Sequence, residues 1–390
     1  MKIAFESQLF LKQKKTGIAW NADHVIKVLA QDGRYSCLCD YFAMRNSEEQ
    51  LEQVRCYEKY GVKMDPCKWF HNVLYKLIWP IIPIPYRLFF PEKRDVTIFF
   101  NFIVPPGVQG KTIAIVHDMA YQAHPETVNK KTLKWLQLTL KKSCKRADAI
   151  VTVSEFSKKE IVKYLGVPAG KITVMPNGVN LDLFHPGYSQ TQIDQVKKKY
   201  QINGRYFLYL GTLEPRKNLV RLIQAYGKLW ETFKADENNK DSENEFPYLV
   251  LAGGKGWMYE SIFETVEELK LSDQVIFTGY VEEEEAPVLM KGARAFVFPS
   301  LYEGFGMPPL EAMACGTPVL TSNVSSLPEV VGETGILVDP ESVDSIAEGM
   351  KTLIDDDELC TKLGEEGIRR AAEFTWDKVV EKMKLLLEKM

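Results

Sequence analysis

Short runs of apolar, β-favouring residues alternate with longer segments of helical period along the whole chain. The runs of strand length lie at residues 3–5, 97–100, 112–116, 149–153, 172–174, 206–210, 249–252, 275–278, 295–298, 319–321 and 336–338. In the first half, helical periodicity predicts helices near residues 19–31, 129–146 and 155–165. This alternation is typical of an α/β protein. Because the strand runs are apolar on both faces, we expect parallel sheets covered by helices on each side.

The length of the chain and a change in its composition predict two domains. At 390 residues it exceeds the usual size of one domain, about 150 residues. Residues 183–203 turn to Pro, Gly and polar side chains before an apolar run resumes, so we place the boundary there. We therefore predict Rossmann-like, doubly wound domains over residues 1–185 and 186–373 that face a central cleft, followed by an amphipathic helix over 374–390. A polar insert at residues 235–245 predicts an exposed, mobile loop.

Charge and cysteine content limit the classes of partner. Lys and Arg number 49 against 52 Asp and Glu, a net charge of -3, so no overall positive field favours nucleic acid. The seven cysteines show no CxxC pair and no zinc spacing, so we expect reduced thiols, no metal site and a cytoplasmic protein. The chain opens on a strand-like run rather than a cationic and apolar leader, so we expect no secretion.

The densest motif is PSLYEGFGMPPLEAMACGTP at residues 299–318. It predicts a Gly-rich loop that carries Glu303 and a helix that begins around Pro309 and carries Glu311. Glycines let backbone approach a ligand closely, and a helix N-terminus favours an anion such as phosphate. Carboxylates accept paired hydroxyl donors, as on a sugar or a ribose. The spacing of Glu303 and Glu311 therefore indicates contacts with different parts of one elongated ligand.

A second motif, GTLEPRKN at residues 211–218, follows the strand run YFLYL directly. It places Arg216 and Lys217 at the mouth of the predicted sheet. A cation about 4 Å from a phosphate charge contributes about 4 kcal/mol at an effective dielectric near 20. Two such cations can stabilise a departing nucleotide without a metal ion. The plainer alternative is a solvated basic turn.

Two positions in the first half lie where predicted strands end. Gly17 follows the first strand and precedes a helix, although the full GxGxxG fingerprint is absent. His117 ends the run 112–116, which puts an imidazole at the carboxyl edge of the sheet. A structural role for this histidine is the alternative interpretation.

Two segments raise the question of lipid contact. Residues 77–90 (LIWPIIPIPYRLFF) are the most apolar stretch, but prolines and Arg87 make it too short and too broken to span a bilayer. We interpret it as a buried loop that closes one domain, with contact to lipid or a lipid-linked acceptor as the alternative. Residues 129–146 form an amphipathic helix rich in lysine. We interpret its basic face as solvated, with contact to anionic lipid or a pyrophosphate-linked acceptor as the alternative.

Taken together, several motifs resemble the retaining family-4 glycosyltransferases of GT-B fold over nearly the whole chain. They are EGFGMPPLEAMACGTPV with its Glu-x7-Glu spacing, GTLEPRKN, VSEFSK at 153–158, PNGV at 176–179 and the His-Asp pair at 117–118. The resemblance implies that Glu303 binds hexose hydroxyls of the donor beside the reacting carbon and that Glu311 holds the ribose. It implies that Arg216 and Lys217 neutralise the diphosphate.

The resemblance also implies roles for backbone groups and for the first domain. Backbone N–H groups that would aid the cations belong to Phe305, Gly306 and Met307. Residues that would line the base pocket are Gly279, Tyr280 and Val281. Gly17 and His117 would face the transferred sugar and the acceptor, and the last helix would cross back to the first domain.

The implied function is transfer of a hexose from a nucleotide diphosphate sugar, with retention and without a metal ion or other cofactor. The acceptor would be a glycan or lipid-linked hydroxyl in polysaccharide assembly, and likeness to bacterial mannosyltransferases suggests GDP-mannose as donor. No side chain is placed as a covalent nucleophile, so we expect front-face displacement. The alternatives are a nucleotide-sugar epimerase or phosphorylase on the same fold and a non-catalytic sugar-nucleotide-binding subunit. Peripheral contact with the inner face of the membrane also stays open.

Overall fold

The computed structural model describes residues 1–11, 17–236 and 246–390. The chain divides into two compact units, one formed by Met1–Gly178 with Trp376–Met390 and the other by Val179–Thr375. Nearly all of the polar insert predicted at 235–245 lies outside the described residues, as does Thr16 immediately before Gly17.

The first unit, as far as it is described, contains a parallel sheet of seven strands in the order β3-β2-β1-β4-β5-β6-β7. Its strands are β1 Lys2–Glu6, β2 Ser36–Phe42, β3 Lys63–Cys67, β4 Val96–Phe99, β5 Lys111–Ile115, β6 Ala149–Thr152 and β7 Ile172–Val174. Its helices are α1 Gly17–Gln31, α2 Glu48–Arg55, α3 Asn72–Ile78, α4 Ala120–Ala123, α5 Lys130–Arg146, α6 Glu155–Leu165 and the C-terminal α15 Trp376–Glu388. Alternate residues of the strands enter separate apolar cores on the two faces of the sheet, Ile113 on one and Ala114 on the other.

The second unit repeats this plan, with six described parallel strands in the order β10-β9-β8-β11-β12-β13. Its strands are β8 Tyr206–Leu210, β9 Tyr248–Ala252, β10 Val275–Gly279, β11 Ala295–Phe298, β12 Val319–Ser322 and β13 Ile336–Val338. Its helices are α7 Gln190–Lys199, α8 Leu219–Ala235, α9 Glu260–Glu268, α10 Ala286–Gly292, α11 Met307–Ala314, α12 Leu327–Val331, α13 Val343–Asp355 and α14 Asp357–Ala371.

The strand orders confirm the predicted α/β class and its two parallel, doubly wound sheets. In each sheet the order reverses beside the first strand, between β1 and β4 and between β8 and β11. Parallel strands end at the same edge, and open sheets of this kind bind ligands at the carboxyl ends where the order reverses. The loops that follow β8 and β11 therefore start side by side, at the position where this topology favours a site.

The sequence analysis did not predict two strands of the first sheet, β2 and β3. β2 carries the buried Asp40, which pairs with Arg94 and accepts a hydrogen bond from Tyr86, so its apolar run is interrupted. β3 has the sequence KMDPC, and Pro66 removes a backbone donor. Because β3 is an edge strand, its proline is tolerated there, but the local pattern does not look like a strand.

The C-terminal helix α15 packs within the first unit. Lys384 lies 2.7 Å from Asp32, and Arg34 lies 2.9 Å from Glu388. Apolar residues on its other face, Val380 and Met383 among them, join the core beneath α1. Ion pairs and apolar packing thus both hold the end of the chain on this unit.

The apolar stretch at residues 77–90 is only partly buried, so the prediction of a buried loop is wrong for half of it. Trp79, Tyr86 and Phe89 are buried, whereas Leu77 and Ile81 are 64% and 84% exposed. The reason is that one side of the segment packs on the sheet while no described residue covers the other. In the described part of the chain, no helix combines the length and the apolar character needed to cross a membrane.

Candidate functional site

Three of the predicted site residues meet where the loops after β8 and β11 begin. The Lys217 Nζ atom lies 2.6 Å from Glu303 Oε1, and Arg216 Nη1 lies 3.0 Å from Glu303 Oε2. The adjacent strand ends explain the encounter, because the two motifs are 86 residues apart in the chain. Arg216, Lys217 and Glu303 are called the ion cluster below.

The ion cluster is buried, and burial makes its charges interdependent. Glu303 is 8% exposed. Burial opposes its ionisation, but the charges of Arg216 and Lys217, with hydrogen bonds from Lys217 and Ser300, prevail and lower the Glu303 pKa to about 2. Burial and the neighbouring Arg216 lower the pKa of Lys217, and the carboxylates oppose that change. The Lys217 Nζ atom also lies 4.9 Å from the centre of the Phe298 ring, a cation–π contact.

A further carboxylate completes the charge balance of this cluster, and sequence reasoning did not single it out. Glu214 is buried, and its Oε1 atom accepts a hydrogen bond of 2.8 Å from Arg216. Two cations thus face two carboxylates, which sum to zero net charge if all four are ionised. The signal that could have found Glu214 is its place in the same GTLEPRKN loop.

Hydroxyl groups from neighbouring strand ends hold the Glu303 loop, and sequence reasoning missed these residues as well. Ser300 Oγ donates to Glu303 Oε1 at 2.7 Å, and the Glu303 backbone N–H donates to Ser325 Oγ at 3.1 Å. Ser326 Oγ lies 2.9 Å from the Glu303 carbonyl and 2.7 Å from that of Phe305. Because these serines follow β11 and β12, their position at strand ends was the available signal.

The two loops of the ion cluster are also tied to each other through backbone. Arg216 Nη1 donates to the carbonyl of Tyr302 at 2.6 Å, and the Leu301 N–H donates to the carbonyl of Arg216 at 2.9 Å. Asn218 donates to the carbonyls of Pro299 and Pro340 from a left-handed backbone conformation that asparagine tolerates. The charged side chains are therefore held on a rigid frame.

The helix α11 begins at Met307, two residues before Pro309, around which its start was predicted. Gly306 caps it with φ +118°, which favours glycine, and prolines follow in the first turn. Proline fits there because first-turn N–H groups have no partner within the helix. Among the described residues, the N–H groups of Phe305, Gly306 and Met307 form no hydrogen bond. They follow Glu303 within four positions of the chain.

Glu311 lies on α11 and is not part of the ion cluster. No described cation forms an ion pair with it, and its side chain is half-buried. Burial, with a contribution from the charge of Glu283, raises its pKa to about 7. The two acidic residues of the motif therefore have opposite properties, with Glu303 fixed as a carboxylate and Glu311 able to titrate near neutral pH.

The predicted base-pocket residues follow the end of β10. Gly279 closes that strand with φ +71°, and its carbonyl accepts a hydrogen bond of 2.8 Å from the Gly253 N–H. A Cβ atom at Gly253 would lie 1.9 Å from the Gly211 carbonyl oxygen, so the ends of β8 and β9 need glycine to approach. Tyr280 is 50% exposed beside them, and Val281 is buried.

The first unit holds the remaining predicted residues. Gly17 is the first residue of α1. His117 is buried, its Nε2 atom lies 2.9 Å from the Phe100 carbonyl oxygen, and burial lowers its pKa. A neutral imidazole that donates from Nε2 to this carbonyl fits these contacts, and a purely structural histidine makes the same contact.

All seven cysteines are free thiols. No group of three His, Cys, Asp or Glu side chains within residues 1–11, 17–236 and 246–390 is arranged to hold a metal ion.

Comparison with known families matches both halves of the chain. Residues 192–370 match the model described as glycosyl transferases group 1, and residues 42–183 match that of glycosyltransferase family 4. The ion cluster, Glu311 and residues 279–281 all lie within the first of these ranges.

Curated relatives agree with these matches. The chain is 34% identical over 308 residues to the O-antigen chain mannosyltransferase B of Escherichia coli, covering 76% of this chain and 77% of that protein. It is 30% identical over 272 residues to the serotype-specific mannosyltransferase WbdA of Escherichia coli, covering 69% of this chain but only 32% of that longer protein. It is 32% identical to the O-antigen chain mannosyltransferase RfbU of Salmonella typhimurium, covering 64% of this chain and 62% of RfbU.

Solved structures share the fold at low sequence identity. A sucrose-phosphate synthase from Thermosynechococcus elongatus has a TM-score of 0.74 at 19% identity, over 100% of this chain and 98% of that one. Anabaena HepE in complex with UDP and glucose has a TM-score of 0.72 at 18% identity, over 100% of both chains. The predicted GT-B fold class is thereby confirmed. With the family matches and a relative at 34% identity, the chain belongs to the family-4 glycosyltransferases and carries a group 1 glycosyl transferase domain in its second half.

Proposed function

We propose that this glycosyltransferase moves mannose from GDP-mannose to a hydroxyl of a glycan or lipid-linked acceptor in polysaccharide assembly, with retention of the anomeric configuration. The observation that carries the proposal is the buried ion cluster at the point where the strand order of the second sheet reverses. The choice of sugar is supported by relatives that are named as mannosyltransferases of the O-antigen chain.

In the proposed complex, the ion cluster binds the reacting end of the donor. Arg216 and Lys217 bind the diphosphate, and Glu303 accepts hydrogen bonds from sugar hydroxyls beside the reacting carbon. Because Glu214 and Glu303 already balance both cations, the diphosphate has to share them with Glu303. Backbone N–H groups of Phe305, Gly306 and Met307 add positive potential without adding a charge.

The other parts of the donor and the acceptor would contact residues outside the ion cluster. We assign the ribose to Glu311 and the base to the surface formed by Gly279, Tyr280 and Val281. Gly17 and His117 are assigned to the transferred sugar and the acceptor. An acceptor carried on a lipid would place the enzyme at the inner face of the membrane.

We further propose front-face displacement without a metal ion or cofactor. A carboxylate whose pKa is about 2, held by two cations and a serine, is a weak nucleophile, which supports an electrostatic role for Glu303 over a covalent one. The bond between the anomeric carbon and the phosphate oxygen breaks as the acceptor oxygen bonds to the same carbon. The acceptor proton passes to the departing phosphate, whose charge Arg216 and Lys217 stabilise.

The decisive experiment is NMR of GDP-mannose with the protein and an oligosaccharide or lipid-linked acceptor, in the presence of EDTA. We expect GDP and a new mannosyl signal with the anomeric configuration of the donor, both only when the acceptor is present. UDP-glucose and dTDP- and ADP-sugars, tested in parallel, should react at least about tenfold more slowly if the base is recognised.

Each other outcome of this experiment counts against the proposal in a different way. Conversion of the donor without acceptor would favour an epimerase, and cleavage that requires inorganic phosphate would favour a phosphorylase. Binding of the donor without turnover across the acceptor panel would favour a non-catalytic subunit. An inverted anomeric configuration would exclude front-face displacement.

The raised pKa of Glu311 predicts that GDP binding depends on pH. A carboxylate accepts the ribose hydroxyls better than a neutral carboxyl group, so affinity for GDP should fall as the pH is lowered from 8 to 6, through the Glu311 pKa of about 7.

The contribution of Glu311 to the free energy of unfolding should have the opposite pH dependence. A raised native pKa means that the folded state holds the proton longer, so this contribution to stability is present below pH 4.5 and declines as the pH rises to about 7.

Calorimetric titration of GDP across this pH range, with two variants, tests the assignment. Glu311→Gln should bind GDP weakly and without this pH dependence. Glu283→Gln removes a neighbouring negative charge, so the midpoint should move to lower pH while affinity at pH 8 is kept. A wild-type profile that Glu311→Gln leaves unchanged would assign the titration to another group.

A further inference from the structure

The first unit exposes a concentrated apolar surface around α3. The exposed large apolar side chains between residues 69 and 88, called the apolar patch, are Trp69, Val73, Leu74, Leu77, Ile81, Ile82 and Leu88. Isolated exposed apolar residues are ordinary, but seven within twenty consecutive positions are not. In α3, Tyr75 is buried while Val73, Leu74 and Leu77 are at least 50% exposed, so one side of this helix presents apolar side chains outward.

The apolar patch is held in place from beneath by buried rings. Tyr75 and Phe89 lie 4.9 Å apart between ring centroids, and both contact Phe42 at the end of β2. Trp69 stacks on Phe89 at 5.2 Å. The exposed apolar side chains therefore stand on a packed base within the fold.

The helix next to the patch is strongly basic. The ring centroids of Trp79 and Trp135 of α5 are 5.7 Å apart, and the Arg146 guanidinium lies 5.4 Å from the Trp79 ring. Around the exposed Leu138, helical spacing of three, four and seven residues collects lysines on one face. This basic face consists of Lys131, Lys134, Lys141, Lys142 and Lys145.

The charge of the basic face is not neutralised by the protein. α5 contains no acidic residue, and among the described residues none of these five lysines forms an ion pair. By contrast, Lys199 and Lys228 of the second unit each pair with a carboxylate. The chain as a whole carries a net charge of -3, so the charge of the basic face is opposite in sign to that of the whole protein.

We propose that the apolar patch and the basic face together dock the first unit on an anionic phospholipid surface. Apolar side chains beside unpaired lysines match the layered chemistry of such a surface, with acyl chains below anionic headgroups. A protein partner would need acidic groups arranged around an apolar centre, whereas a bilayer supplies both over any area. In this proposal the basic face and the outward side of residues 69–88 act as one interaction surface, where the sequence-based interpretation has a solvated basic face beside a buried loop.

Sedimentation of the full-length chain with vesicles tests this proposal. Phosphatidylcholine vesicles should bind little protein, and vesicles of phosphatidylcholine and phosphatidylglycerol in equal amounts should bind it in a salt-sensitive way. Each lysine near such a surface contributes about fivefold in affinity, so Lys141→Gln, Lys142→Gln and Lys145→Gln combined should weaken binding about a hundredfold. Leu77→Ser, Ile81→Ser and Ile82→Ser combined should weaken it at least about tenfold.

Matched variants elsewhere on the chain provide the control. Lys197→Gln, Lys198→Gln and Lys382→Gln make the same change in net charge, and Leu269→Ser with Leu385→Ser removes exposed apolar side chains outside the patch. Both controls should bind vesicles like the wild type.

Three results would overturn the proposal. The first is wild-type protein that stays in the supernatant with anionic vesicles. The second is binding that the lysine variant leaves unchanged. The third is a dimer in light scattering that the apolar variant converts to a monomer without loss of vesicle binding, since a second copy of the chain would then cover the patch. The assay uses neither donor nor acceptor, so its failure would leave the proposed transfer reaction untouched.

Discussion

Replacing Glu303 with glutamine should lower kcat for transfer about a thousandfold. The amide keeps the shape of the side chain but removes the charge that holds Lys217 and Arg216 in place and accepts the hydroxyls of the donor. Glu348→Gln, on the exposed side of α13 in the same unit, serves as the matched control and should transfer like the wild type. Undiminished turnover by Glu303→Gln would remove the ion cluster from the reaction.

The same variant should be less stable, although still folded. Removing one partner of a buried ion pair costs about 3–5 kcal/mol, because the other charge stays buried without compensation. The cost should lie toward the lower end, since Glu214 continues to pair with Arg216. Urea unfolding measures it, and the difference should depend on pH. A lowered native pKa means that Glu303 stabilises the fold above pH 4.5 and loses that contribution as the pH falls toward 2, so wild type and variant should converge in acid.

Replacing Lys217 with methionine should lower kcat by about a hundredfold to a thousandfold. Methionine keeps most of the length of the side chain but removes the charged Nζ atom that lies 4.9 Å from the centre of the Phe298 ring, which is one of the two cations that stabilise the departing diphosphate. GDP should bind more weakly too, because the same charge is used before and during the reaction. Without Lys217, the pKa of Glu303 should rise from about 2, since one of the charges that lowers it is gone.

Lys228→Met is the control for this loss of charge. Lys228 lies on α8, which follows the GTLEPRKN loop, and its Nζ atom lies 2.6 Å from Asp344 on the exposed surface. Steady-state kinetics with GDP-mannose should show wild-type kcat for Lys228→Met. If Lys217→Met also transfers normally while binding GDP less well, Lys217 contributes to ground-state binding only.

The sequence predicted the parts of the fold whose local pattern is unambiguous. The runs at 206–210 and 295–298 coincide with β8 and β11, because buried parallel strands need continuous apolar stretches between turns. β2 and β3 were missed because a buried aspartate and an edge proline break that pattern. Asp40 is stabilised by Arg94, which lies 54 residues away in the chain, and the residues next to Asp40 do not predict that pairing.

The residues of the candidate site also fall into those that the sequence predicted and those that it did not. The Gly-rich loop and the cations of GTLEPRKN are visible in the sequence because close approach to a ligand demands particular residue types. Glu214 and the serines that hold Glu303 were not singled out, since buried hydrogen-bond partners are chosen by position and look like ordinary polar residues in the chain. The pKa of Glu303 is about 2 and that of Glu311 about 7 for the same reason, because each depends on how the fold buries the carboxyl group and which charges it places nearby.

The amino-acid sequence by itself determined the two parallel-sheet halves, the family and the residue types of the donor motif, since periodicity, turn residues and motif spacing are properties of neighbouring positions. Only the tertiary structure decided that Lys217 and Arg216 share Glu303, that Glu311 stands apart from them, and that one side of residues 69–88 is left open beside a basic helix. Those facts depend on which distant segments the strand order brings together, and burial and charge pairing act through space rather than along the chain.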